Sequence, residues 1–128
     1  MIPKFRAFIK ETKQIADVDW IFFKSEVAKV TDNEFYQFED VVLMQSTGLH
    51  DKNNFEIFEG DIVNINHTFR NPMTGSGTLI LNKNFEVIFV NGMFTREGSS
   101  MGIEKDLKYL TVIGNVHQHP ELLEEVWN

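Results

Sequence analysis

The sequence predicts a mostly β protein. We expect a small, strongly bent antiparallel sheet closing towards an SH3-like, partly open barrel, with an N-terminal hairpin and a short C-terminal helix. Several short runs alternate apolar and polar residues, as strands with one buried face do. Turn-forming residues separate these runs, most clearly at Asn91-Gly92. Twelve phenylalanines suit a core of aromatic and β-branched pairs.

Residues 1–23 are predicted to form the N-terminal hairpin. The segment Phe5–Ile9 alternates, a polar turn follows, and a second alternating run returns. The period of two places Trp20 on the buried face of the returning strand. The same period places Asp17 and Asp19 together in water, where a solvated strand face is a simpler interpretation than a metal pair.

Residues 24–40 leave alternatives open. The segment Ser25–Val30 is compatible with a strand or with one helical turn. Phe35, Tyr36 and Phe38 begin another extended piece. Their rings can be interpreted as a stacking platform for bases. No Lys or Arg flanks them, which favours core packing or a protein contact.

The segment Leu43–Asn66 is predicted to be the corner around which the fold is organised. Its first two residues belong to the run Val41–Met44, which is apolar on both faces as a central strand is. Gly48 and Gly60 lie where the chain is expected to reverse. Asp61 can accept a hydrogen bond from a nearby backbone N–H and hold the corner. The alternating residues after it predict a strand with one buried face.

A loop and a meander are predicted next. Residues 67–77 are rich in Gly, Asn, Thr and Ser, which predicts an irregular loop that carries Arg70 as a possible interaction residue. The segments Thr78–Leu81 and Glu86–Val90 are expected to be strands around a turn at Asn82–Asn84.

The chain is expected to close with a strand and a helix. Residues 96–109 have weak helical spacing, and Leu110–Val116 is the predicted closing strand. Gly114 inside this strand indicates a bulge or bend. Pro120 suits the first position of a helix. The apolar face of that helix would include Trp127 and dock on a barrel end or on a neighbour.

Six separate segments of the chain form a combined sequence pattern. The segments that carry it are Lys4–Phe8, Met44–Leu49, Asp51–Asn53, Glu56–Val63, Val112–Val116 and Pro120–Glu124. In combination they resemble the YopX family, small proteins encoded in bacteriophages and in prophages of bacteria. The resemblance spans nearly the whole chain. It implies a small β-rich domain of phage origin and implies no established activity.

A structural signature lies within these segments. It consists of Gly48, Gly60, Asp61, Gly114 and Asn115. The chain departs from the family pattern at residues 54–55, where Gly-Lys is usual, and at His117 and His119. Because the resemblance does not supply these two histidines, it lends no support to a metal site built on them.

Length and composition bound the class of protein. The 128 residues suit a single domain over residues 1–128, and the absence of cysteine excludes disulfides and thiolate metal sites. No apolar run follows a basic N-terminal segment, and none approaches the ~18 residues of a spanning helix. We therefore expect no signal peptide, no membrane contact and a cytoplasmic location. The resemblance to the YopX family implies that the cell is a bacterial host.

Net charge argues against general nucleic-acid binding. Nineteen acids against twelve bases give a formal net charge of −7, whereas such binding depends on Lys and Arg that neutralise phosphates. Acidity of this kind favours solubility or a basic partner surface.

Two constellations carry reactive residue types. His117 and His119 have strand spacing and would need Glu121 or His67 to complete a metal site. A surface turn before a helix is the simpler interpretation. Ser46 or Thr47 with His50 and Asp51 has the residue types of a hydrolytic triad, but no nucleophile-elbow pattern surrounds Ser46. We expect no catalytic residue, metal or cofactor.

The sequence therefore favours a non-enzymatic accessory protein that acts through protein contacts. Exposed strand edges and the helix with Trp127 would also allow self-association. The alternative is a nucleic-acid-associated small β-barrel, by analogy of fold alone. Its contacts would be the bases of the first hairpin, Lys4, Arg6, Lys10 and Lys13. An enzyme built on the histidines is a third class.

Overall fold

The computed structural model describes residues 3–124 and confirms a mostly β fold. The strands form two antiparallel sheets, and residues 59–60 mark the division between them. The first sheet, sheet 1, has the order β4-β3-β2-β1-β5-β6. Its strands are β1 (Phe5–Ile9), β2 (Gln14–Phe22), β3 (Val27–Val30), β4 (Glu34–Gln37), β5 (Val41–His50) and β6 (Glu56–Phe58).

The second sheet, sheet 2, follows directly in the chain. Its order is β10-β7-β8-β9. Its strands are β7 (Asp61–Arg70), β8 (Thr78–Val90), β9 (Met93–Arg96) and β10 (Leu110–Asn115). Five short 3₁₀ turns complete the described structure: Thr31–Asn33, Phe38–Asp40, Ile103–Lys105, Leu107–Tyr109 and Pro120–Leu123. No helix within residues 3–124 is long and apolar enough to cross a membrane.

The division into two sheets corrects the prediction of one bent sheet closing towards a barrel. Within the described residues both sheets are open, with β4 and β6 at the edges of sheet 1 and β10 and β9 at those of sheet 2. Closure fails because β6 is only three residues long and ends sheet 1. The next strand pairs with β8 and β10 instead.

A bulge in β2 overturns the predicted burial of Trp20. Val18 pairs with Val30, but two residues later Trp20 pairs with Lys29, so the register shifts by one. Such a shift moves every following side chain to the other face. Trp20 is therefore 61% exposed, while Asp17 and Asp19 are exposed as predicted. The segment 25–30, left open between strand and helix, contains strand β3.

The predicted turn at Asn82–Asn84 is also wrong. These residues lie inside β8, a continuous strand of 13 residues. The Asn64 amide donates to the side-chain oxygens of both Asn82 and Asn84 at 2.9 Å. The asparagines thus form a ladder across the strands instead of closing a turn. The predicted loop is correspondingly shorter, because β7 continues to Arg70 and leaves only residues 71–77 outside the strands.

The bulge predicted at Gly114 in the closing strand is confirmed. The register of β10 shifts between Val112 and Gly114. A Cβ on Gly114 would lie 2.6 Å from Nδ1 of His119, which explains the glycine. After β10 the described chain forms only the 3₁₀ turn Pro120–Leu123. Trp127 and the rest of the predicted helix lie outside the described residues.

The core consists of one cluster in each sheet and a third at their junction. The third contains Phe8, Met44 and Phe58. Gly60 approaches it, since a Cβ there would lie 3.1 Å from the Met44 methyl. The cluster of sheet 1 is Ala7, Ile9, Val30 and Val41. The cluster of sheet 2 is Val63, Val87 and Leu110, and it also includes Ile57 from β6 of sheet 1 and Ile103 from a 3₁₀ turn.

Candidate functional site

The corner between β6 and β7 joins the two sheets through its backbone. The Glu59 amide donates to the Gln45 carbonyl of sheet 1 at 2.8 Å. The Gly60 amide donates to the Val87 carbonyl of sheet 2 at 2.8 Å, and the Gly60 carbonyl accepts from the Val116 amide at 2.9 Å. Gly60 has φ +88°, a conformation that disfavours side chains. Two residues thus connect both sheets.

An ion pair reinforces this corner. Arg6 of β1 contacts Asp61 of β7, and the Asp61 side chain is only 1% exposed. The other carboxylate oxygen of Asp61 accepts the Phe58 amide at 2.8 Å, which is the predicted corner bond. The Arg6 guanidinium also lies over the Phe58 ring, 4.4 Å from its centroid. Arg6, Phe58 and Asp61 therefore form a buried link between the sheets, which we call the junction.

Burial shifts the titration of the groups at the junction. Desolvation raises the pKa of Asp61 to about 6, although the adjacent Arg6 charge favours the ionised form. Desolvation also lowers the pKa of His117, and the Arg6 charge adds to that effect. His117 stacks on Phe8 with ring centroids 5.2 Å apart. These contacts account for the junction as a structural element and supply no nucleophile.

A second feature lies on the outer side of sheet 1. After the β2 bulge, Trp20 and Phe22 share one face, and their rings stack at 5.9 Å. Phe35 joins them because Lys29 pairs with both Trp20 and Phe35. We call Trp20, Phe22 and Phe35 the outer aromatic face. Phe35 is 59% exposed, and Phe22 is 39% exposed.

The outer aromatic face continues into a groove at the end of β2. Phe23, directly after β2, is 75% exposed. A groove of about 460 Å³ beside Trp20 is lined by Lys4, Trp20, Phe23 and Gln45, among others. Exposed aromatic side chains next to a concavity are typical of protein interaction surfaces.

The similarity of this chain to known proteins agrees with its two-sheet architecture. The family model described as YopX protein matches residues 4–124. This chain belongs to the YopX family. A crystal structure of protein EF1440 from Enterococcus faecalis is similar over 97% of this chain and 99% of that chain, with 29% identity and a TM-score of 0.66. The comparison with curated proteins finds no match.

The signature glycines and polar residues of this YopX-family chain lie at backbone irregularities. Gly48 has φ +78° inside β5, and the chain reverses later, after His50. Asn115 stabilises the exit from β10, because its side-chain oxygen accepts the backbone amides of His117 and Gln118. The signature therefore coincides with the positions where strands bend or end.

The two histidines proposed as metal ligands have different surroundings. His117 stacks on Phe8, as described above, whereas Nδ1 of His119 lies 3.3 Å from the Asn115 amide as an acceptor. Within residues 3–124, no group of three or more His, Asp or Glu side chains is arranged to hold a metal ion.

The residue types of a hydrolytic triad do not converge. Asp51 accepts three backbone amides, from Asn53, Phe55 and Val112, at 2.8–2.9 Å. Its carboxylate thus holds a turn and ties it to β10. The Ser46 hydroxyl donates to Glu56 instead of to His50, which is exposed. The hydrogen bonds of Ser46 and Asp51 thus give both residues a structural role.

The bases of the first hairpin point to different partners. Arg6 is part of the junction, and the Lys4 ammonium pairs with Glu56 at 2.8 Å. The Lys10 ammonium donates to the Glu39 carbonyl at 2.8 Å. Arg70 lies at the end of β7, next to the loop at 71–77.

Sequence reasoning missed the pairing of Arg6 with Asp61 and the exposure of Trp20 and Phe22, although it named a protein contact as one possible use of Phe35. Arg6 is a lone charge inside an otherwise apolar strand, and this pattern could have indicated a buried partner. Trp20, Phe22 and Phe23 stand close together, but a bulge without Gly or Pro leaves no mark in the sequence.

Proposed function

We propose that this protein is a phage- or prophage-encoded accessory protein that acts in the host cytoplasm through protein contacts and catalyses no reaction. The observation that carries the proposal is the outer aromatic face. Burying large apolar side chains contributes about 1.5–3 kcal/mol each. Leaving Trp20, Phe22 and Phe35 in water forgoes this stabilisation, and a partner that covers them would recover it.

The reactive side chains of the described chain support a role without catalysis. Asp61 and Asp51 are engaged by backbone amides, and Arg6 is engaged by Asp61. A catalytic group needs access to a substrate and an adjacent base or acid. These buried groups instead hold turns and join the sheets.

The test is affinity capture of the tagged protein from prophage-induced cells, with crosslinking and mass spectrometry. The double variant Trp20→Thr/Phe35→Thr should lose the partner that the wild type captures. Phe55→Thr is the matched control, because Phe55 is 63% exposed on a turn away from this face. Equal capture by all three proteins would contradict the proposal, as would recovery that depends on nucleic acid.

A further inference from the structure

The hairpin of β7 and β8 extends beyond the rest of sheet 2. β10 pairs with β7 only from Asp61 to Ile65, and β9 pairs with β8 only from Val87 to Val90. Within the described sheet, residues 66–70 pair only with residues 78–82, and neither segment has a second neighbouring strand. They form a two-stranded ribbon, closed by residues 71–77, that we call the arm.

The arm has one apolar face that continues the core face of sheet 2. Phe69 and Leu79 lie opposite each other on that face, in line with buried Val63 and Ile65. They are 36% and 40% exposed. At the base, His67 stacks on Tyr109 with ring centroids 3.7 Å apart. Two-stranded ribbons alone are only marginally stable in water, so a surface that covers this face would stabilise the arm.

The arm differs in charge from the rest of this acidic chain. Residues 66–82, the arm with its closing loop, contain one base, Arg70, and no acid. By contrast, residues 11–40, which include the strands of the outer aromatic face, contain eight acids and three bases. One of these bases, Lys29, lies on the face between Trp20 and Phe35 and pairs with Asp19 at 3.3 Å. The chain therefore carries two exposed apolar surfaces within segments of opposite net charge, and opposite charge favours their encounter.

We propose that the apolar face of the arm packs on the outer aromatic face of a second copy of this chain. This inference rests on the proposed function, because it names the partner of the same surface. The arm and the aromatic face are different surfaces, so the contact is heterologous. Reciprocal contacts close a dimer, and serial contacts give longer oligomers.

The first test is sedimentation equilibrium of the full chain over a range of concentrations. Leu79→Thr on the arm and Phe35→Thr on the aromatic face should each weaken association by about tenfold or more, the usual effect of truncating an interface anchor. Ile80→Thr is the matched control, because Ile80 is 70% exposed on the opposite face of the arm and should leave association unchanged. Threonine retains strand propensity, and circular dichroism verifies the fold of each variant.

A mixing experiment separates this contact from other modes of self-association. The Leu79→Thr variant retains its aromatic face, and the Phe35→Thr variant retains its arm. A 1:1 mixture should therefore form heterodimers through one intact contact and associate more strongly than either variant alone. Contacts between two arms, or between two aromatic faces, would show no such recovery, and that result would overturn the proposal.

Further outcomes would also overturn it. One is a wild-type chain that stays monomeric at all concentrations. If capture of another protein is nevertheless lost with Trp20→Thr/Phe35→Thr, the proposed function stands and only the second copy is excluded as partner. Another is a monomer that binds a short DNA duplex and loses that binding with Arg70→Glu, which would make the arm a nucleic-acid contact.

Discussion

The junction and the outer aromatic face use similar side chains in opposite ways. At the junction, Phe58 lies under a guanidinium, and Asp61 is enclosed by Arg6 and a backbone amide. On the outer face, Trp20 of β2 and Phe35 of the edge strand β4 lie mainly in water. The chain thus buries charge where two sheets must be joined and exposes aromatic surface where folding does not require it. Stability and the proposed recognition are therefore assigned to different regions, and substitutions should separate them as well.

The largest expected effect is from Asp61→Ala. This change leaves Arg6 as a buried charge without its partner and the Phe58 amide without its acceptor. Breaking a buried pair costs ~3–5 kcal/mol, which urea denaturation would measure. Trp20→Thr is the comparison from the other region and should change the free energy of unfolding by less than ~1 kcal/mol. Similar losses for both variants would contradict the separation of stability from recognition.

A smaller effect is expected from Gly60→Ala. Alanine is strained at φ +88°, and its Cβ would lie 3.1 Å from the methyl group of Met44, which belongs to the core cluster of Phe8, Met44 and Phe58. Strain and crowding together should cost ~2–4 kcal/mol in unfolding free energy.

Gly98→Ala is the matched control for Gly60. Gly98 has φ +89° and no atom within 4 Å of the added Cβ, so only the backbone strain of ~1–2 kcal/mol should appear. Thermal denaturation of the two variants measures the difference. Equal decreases in melting temperature would show that the Met44 side chain moves aside without a free-energy cost.

The smallest expected effect is the pH dependence that His117 adds beside the junction. The pKa of His117 is below 6.5 in the folded chain, so its contribution to stability is present above pH 6.5 and is lost as the pH falls. The pKa of Asp61 is raised from 3.8 to about 6, so its contribution has the opposite sign: present below pH 3.8 and lost as the pH rises through 6.

His117→Phe keeps the stack on Phe8 and removes the imidazole. The variant should therefore gain urea resistance relative to the wild type between pH 7.5 and pH 5. An NMR titration gives the direct measurement. A His117 midpoint at or above 6.5 would contradict the expected desolvation.

The sequence predicted those features that follow from local backbone chemistry. The β6–β7 corner, the Asp61 bond to a nearby amide and the bulge at Gly114 depend on glycine freedom and on hydrogen bonds over three or four residues. The β2 bulge depends instead on pairing with β3, and the Asn64 ladder depends on pairing across 18–20 residues. Such tertiary contacts override local turn propensity, which is why Trp20 and Asn82–Asn84 were misplaced.

The junction and the outer aromatic face were the least predictable parts of the molecule. The alternation of apolar and polar residues predicts a buried Trp20 and an exposed Arg6. In the structure Trp20 is exposed and Arg6 is mostly buried. Their positions depend on a register shift and on a partner 55 residues away, and neither can be inferred from the spacing of apolar residues.

Because the chain divides at residues 59–60, its two sheets are translated one after the other. Every strand of sheet 1 lies within residues 5–58, and every strand of sheet 2 lies within residues 61–115. Domains emerge from the ribosome N-terminus first, so all strands of sheet 1 are translated before sheet 2 begins. Asp61, the partner of Arg6, is translated only three residues after β6 ends. The junction can therefore close only after all strands of sheet 1 have been translated.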